Sequence, residues 1–189
     1  METNETKKVY ILISKTSTVP SNIIKMWTKE PYAHTSLALD IGLDEMYSFA
    51  RKGIRNPFNC GFISEDITKG IFGRDTNTKC VVFELEVTQS QHELILLQLD
   101  KFKSNAERYR YNYWGIFGLT RNKAIEREYN YFCSQFVASV LRKAGVDIID
   151  KEPGLVRPED FRKCSKLKVI YKGYLINYRE FLRENNLLD

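Results

Sequence analysis

Residues Tyr131–Gly145 read YFCSQFVASVLRKAG. Phe132, Phe136, Val137, Val140 and Leu141 recur at the 3.6-residue period, which predicts a helix from about Tyr131 to Ala144. Asn130 stands where an N-cap belongs, and Gly145 where a helix stops in a left-handed conformation. Cys133 therefore falls in the first turn. Unpaired backbone N–H groups and the positive end of the helix dipole favour a thiolate there, and the same N–H groups can hold an oxyanion.

Working outward, Val9–Ser14 (VYILIS) predicts a buried strand, and Pro20–Trp27 a short helix ended by Pro31. His34–Ile41 (HTSLALDI) alternates. Thr35, Leu37, Leu39 and Ile41 share one face, and His34, Ser36, Ala38 and Asp40 the other. Gly42-Leu43-Asp44 reads as a turn and Glu45–Ala50 (EMYSFA) as the returning strand. Residues 51–79, with Gly, Asn, Asp and Pro57, predict a long loop with one helical turn near Ser64–Ile67. Cys80–Thr88 predicts a strand. Ser90–Asn105 predicts an amphipathic helix with Leu94, Leu97 and Phe102 at core positions. Tyr109–Phe117 is dense in aromatics and broken by Gly115 and Gly118. Pro158 opens a further helix, Leu167–Tyr171 predicts a last strand and Tyr178–Leu187 a C-terminal helix. Hairpin strands with segregated helices predict an α+β fold, one domain over residues 1–189, with an antiparallel β-sheet packed against helices.

Composition narrows the chemistry. The chain has 189 residues, 43% apolar, with 29 Lys+Arg against 24 Asp+Glu for a net charge of +5. Such a mild, dispersed excess does not predict nucleic-acid binding. No apolar run is long enough for a membrane span, and the polar start of the chain lacks a signal-peptide core, so a soluble cytoplasmic protein is expected. The four cysteines, Cys60, Cys80, Cys133 and Cys164, form no C-x-x-C pair, and neither histidine stands at zinc-finger spacing from them. Neither a metal nor another cofactor is expected, and free thiols are expected rather than a disulfide framework.

A nucleophilic cysteine needs a base. His92 lies near the start of an amphipathic helix, on its expected solvated side. His34 opens a strand on a face of small residues, which suits a site where a helix N-terminus packs across a sheet.

AHTSLALD at 33–40, a second strand after it, and the later YFCSQFVASVLRKAG resemble the circularly permuted NlpC-type papain-like cysteine hydrolases. The resemblance spans about Val9 to Phe161. It is carried by the histidine strand, the tyrosine-rich segment ending at Gly115, the Cys-Ser-Gln-Phe-Val helix start and Pro158-Glu-Asp-Phe. It implies a papain-like fold of permuted order and a thiol hydrolase of an amide or acyl bond. Cys133 would be the nucleophile and His34 the base, and the substrate a peptide, another amide or a lipid-linked acyl group. It also implies a tyrosine lining the site, best matched by Tyr111 and then Tyr113, with an oxyanion hole at the start of the helix at Cys133 and Ser134. The third member, often a glutamate in the permuted group, should come from the strand after the histidine strand. Ser48 stands nearest that place, with Glu45 and Asp40 as charged alternatives. An acyltransferase on the same scaffold, or a non-catalytic lipid- or peptide-binding protein, are the competing expectations.

Overall fold

The structure is a computed structural model that describes residues 6–15, 32–53, 56 and 59–188. Its frame is a six-stranded sheet. The strands are β1 (Thr6–Lys15), β2 (His34–Ala38), β3 (Met46–Arg51), β4 (Cys60–Glu65), β5 (Lys79–Thr88) and β8 (Lys168–Tyr174). They are ordered β4-β3-β2-β1-β5-β8, and every neighbouring pair is antiparallel. A two-residue pair, β6 (Arg110–Tyr111) and β7 (Asn130–Tyr131), runs parallel beside it. The helices are α1 (Gln89–Ser104), α2 (Tyr113–Thr120), α3 (Cys133–Lys143), α4 (Pro158–Lys163) and α5 (Tyr178–Glu184). The expected α+β class with an antiparallel sheet and helices is present. The helix expected over Pro20–Trp27 lies outside the described residues.

Both faces of the sheet are covered. On one, Ile11, Ile13, Leu37, Phe49, Phe62 and Phe83 pack with Ile95, Leu99 and Phe102 of α1 and Phe136, Val137 and Val140 of α3. On the other, Tyr10, Leu12, Ala38, Met46 and Val82 pack with Phe72 and with Tyr178 and Leu182 of α5. The middle of central β1, Val9–Ile13, is therefore apolar without a break, as a stretch buried on both sides must be. Thr88 caps α1 by accepting the Gln91 N–H at 3.2 Å, while the Gln91 side chain accepts the Thr88 N–H at 3.0 Å.

Three local expectations are corrected. Leu94 and Leu97 are 41% and 50% exposed; the buried stripe of α1 is Ile95, Gln98, Leu99 and Phe102. Two apolar stripes compete on that helix, and the one meeting the Phe49, Phe62 and Phe136 rings wins. Second, Asn130 does not cap α3. It sits in β7, and Phe132 is the extended residue before the helix. Third, Ser64–Ile67 is not a helical turn, because Cys60–Glu65 is a full strand paired with β3. Gly61 disguises it in the sequence. A side chain there would meet the Tyr109 carbonyl oxygen at 2.6 Å, so a strand interior carries a residue that reads as a breaker.

Candidate active site

Cys133 is the first residue of α3, reached straight from β7. The first helical bond runs from the Phe136 N–H to the Phe132 carbonyl at 2.9 Å, so the N–H groups of Cys133, Ser134 and Gln135 precede the ladder. Gln135 Oε1 accepts the Phe132 N–H and an Asn112 side-chain N–H, each at 3.3 Å. Asn112 Oδ1 in turn accepts the Gly115 N–H at 2.8 Å, which ties the start of α2 to that of α3. Gly145 ends α3 at φ +71°, with the Val146 N–H bonded to the Leu141 carbonyl at 2.9 Å, the paired pattern of a left-handed helix stop.

The Cys133 thiol donates to the Ala33 carbonyl at 3.8 Å, one residue before His34. His34 opens β2, is 7% exposed and lies against the Phe72 ring at 6.2 Å. Its Nε2 donates to Glu65 Oε1 at 2.9 Å. The other carboxylate oxygen accepts the Ser36 hydroxyl at 2.5 Å. Register explains the meeting. Glu65 lies opposite Met46, and Met46 opposite Ala38, so Glu65 shares a sheet face with Ala38, Ser36 and His34.

Burial by itself pulls the His34 pKa down. The Glu65 charge, with hydrogen bonds to Cys133 and Glu65, outweighs it and raises the pKa to about 10. Burial pushes the Glu65 carboxyl up, and the His34 charge together with bonds from His34 and Ser36, and the nearby Ser48 hydroxyl, brings it below its ordinary value. The resting pair is therefore imidazolium and carboxylate. Tyr111 is 6% exposed, and its phenol is held well above the ordinary pKa, first by burial and then by the Cys133 charge. It stays a donor, and its hydroxyl faces the thiol.

Of the residues singled out in the sequence, Cys133, His34 and Tyr111 come together. Tyr113 is one step removed, its ring 5.0 Å from that of Tyr111 and its hydroxyl paired with the Cys60 thiol. The Ser134 hydroxyl donates to the Val156 carbonyl at 2.7 Å, so its side chain braces the helix start, and its backbone N–H is the part of Ser134 left at the helix terminus. That bond also gives Pro158-Glu-Asp-Phe a role, since α4 follows Val156 directly. Ser48 is a correction. It lies on the face of Glu65, near enough to favour the carboxylate, but its hydroxyl makes no hydrogen bond of good geometry. The carboxylate on His34 is Glu65, one strand further out. Asp40 accepts the Asp44 and Glu45 N–H groups at 3.0 and 2.7 Å, and Glu45 is exposed. His92 lies in the first turn of α1, and the imidazole facing Cys133 is that of His34.

None of the four cysteines is in a disulfide. Burial raises Cys80 to about 12, and burial also raises Cys60 against the opposing bond from Tyr113. Cys164 donates to the Ile148 carbonyl at 3.3 Å. Among the described residues no group of three or more His, Cys, Asp or Glu is placed to hold a metal ion, and no helix is long and apolar enough to cross a membrane.

No protein-family model matches the sequence, and no curated protein is significantly similar to it.

Proposed function

We propose that the protein is a thiol hydrolase of amide or acyl bonds, on a papain-like fold of permuted order, with Cys133 as nucleophile. The observation that carries this reading is the buried line of three groups from three elements: Glu65 on β4, His34 on β2 and Cys133 at the start of α3. A hydrogen-bonded base oriented by a carboxylate, beside a thiol at a helix N-terminus, is the general arrangement for nucleophilic catalysis.

The steps follow from the groups present. The reaction starts from the neutral form of His34: the thiol proton passes to the ring, and the sulfur attacks the substrate carbonyl carbon. The Cys133 N–H holds the developing oxyanion, with the Tyr111 hydroxyl as second donor. His34 gives its proton to the departing amine or alcohol and leaves a thioester on Cys133. Water then loses a proton to His34 and attacks the thioester, releasing the acid and the thiol. Glu65 keeps the ring aimed throughout and stabilises its charge whenever it carries the second proton.

Cys133 is only 1% exposed, which favours acyl transfer as a second reading. A thioester closed off from water survives long enough for an amine acceptor to take the acyl group. p-Nitrophenyl acetate tests both. An acetyl group should appear on Cys133 by peptide mass analysis, be absent in Cys133→Ala, and form about 10²-fold more slowly or worse in His34→Ala. Faster discharge by added amines than by water assigns the transfer reaction. Equal labelling in the wild type and His34→Ala removes the catalytic reading.

A further inference from the structure

The site holds a hydroxyl for which the reaction steps above have no use. Ser36 is fully buried in β2, two residues beyond His34, with its backbone in register with Leu12 of β1. Its hydroxyl oxygen is 2.5 Å from Glu65 Oε2 and 3.2 Å from His34 Nε2. Other hydroxyls buried in the same strands behave differently. Those of Ser14, Thr35 and Ser48 make no hydrogen bond of good geometry. A strand hydroxyl in this core does not find a partner merely by being buried, and Ser36 reaches a side chain 29 residues away.

Proton counting fixes the directions. Ser36 has one O–H, and its short contact is to a carboxylate oxygen, which only accepts. The proton therefore lies on the Glu65 side. The remaining contact, Ser36 Oγ to Nε2, requires Nε2 to be the donor, and Glu65 Oε1 at 2.9 Å requires the same. With Nε2 holding its proton between two oxygens, Nδ1 is the ring nitrogen left for the thiol.

We propose that Ser36 is a positioning residue: its hydroxyl closes a ring with Glu65 and His34 that fixes the carboxylate and selects the Nε2–H form of His34, presenting Nδ1 to Cys133. This rests on the hydrolase reading for its catalytic consequence, but the tautomer of the neutral ring is a property of the protein without substrate. The polar and titratable groups that face the ring are Ser48 from β3, Cys133 from α3 and, across the thiol, Tyr111 from β6. Phe72 supplies an apolar wall. Asp66, next to Glu65 in the chain, is held by Thr68 and Lys69.

The test is nitrogen-15 NMR of the imidazoles in the full chain, which has only two histidines to assign. In the wild type the neutral His34 ring should carry its proton on Nε2. In Ser36→Ala the neutral ring should become a tautomer mixture, since the oxygen that accepts from Nε2 and the hydroxyl that holds the carboxylate are both gone. Ser36→Cys, which keeps the volume and replaces a strong donor by a weak one, should show the same change in a core packed as before. Ser48→Ala should leave the tautomer unchanged. A folded Ser36→Ala or Ser36→Cys protein with the wild-type tautomer overturns the proposal, as does a neutral wild-type ring protonated on Nδ1. Acetylation of Cys133 in His34→Ala at the wild-type rate would remove the hydrolase reading alone, because the imidazole spectra are recorded without substrate.

Discussion

Replacing Glu65 by Gln keeps the size and hydrogen-bonding capacity of the side chain and removes its charge. His34 then keeps the burial that opposes its charge and loses the main influence that favours it. In the wild type the His34 pKa rises from 6.5 to about 10. At about 1.4 kcal/mol per pH unit, that difference corresponds to about 5 kcal/mol of preference for the imidazolium. In Glu65→Gln the ring should titrate below its ordinary 6.5. The sign for stability follows. A histidine whose pKa is raised on folding stabilises the protein fully below 6.5 and loses that contribution as pH climbs to about 10. Glu65, whose pKa is lowered, contributes above its ordinary 4.5 and loses that contribution as the pH falls through its folded value. The wild type should therefore lose about 3 kcal/mol of unfolding free energy between about pH 6.5 and pH 9 from this pair, read by urea titration. Glu65→Gln should be less stable overall and should gain stability as pH rises through about 6.5, reversing the slope. Imidazole NMR reads the midpoint directly. A wild-type His34 that titrates near 6.5, or a midpoint unmoved by Glu65→Gln, refutes the claim that the carboxylate controls the ring.

Tyr111→Phe keeps the buried ring and removes the hydroxyl facing Cys133. Acetylation of Cys133 should slow by about 10²-fold, the usual cost of one oxyanion donor, with an unchanged melting temperature; an unchanged rate would leave the hydroxyl without a part in the chemistry. Gly145→Ala meets no atom within 4 Å but must adopt φ +71°, so the cost is conformational alone. It should destabilise the protein by about 1 kcal/mol in urea titration and leave acetylation untouched, since the far end of α3 bears the strain.

The resemblance pointed to Cys133, His34 and Tyr111, and the structure brings these together. Ser48 marks where that reading stops. It is on the face of the sheet where a carboxylate is needed and two strands from β1, yet the group that meets Nε2 belongs to the next strand. Glu65 was illegible because its strand, CGFISE, lies in a segment rich in Gly, Asn and Asp, and because Gly61 breaks the apolar alternation to let the Tyr109 backbone pass.

What the sequence determined by itself was local. Periodicity placed a helix over about Tyr131–Ala144, observed at Cys133–Lys143, Gly145 ended it, and the alternation of His34–Ile41 put His34 and Ser36 on one face. These depend on neighbours a few residues apart, whose geometry the backbone periods set. Which carboxylate meets His34, which hydroxyl holds it, and that Ser134 turns away toward Val156 were decided only by tertiary structure. Each depends on the register of one strand against another or on packing between elements distant in the chain. A shift of one residue in the β3–β4 register would carry Glu65 to the opposite face, away from His34.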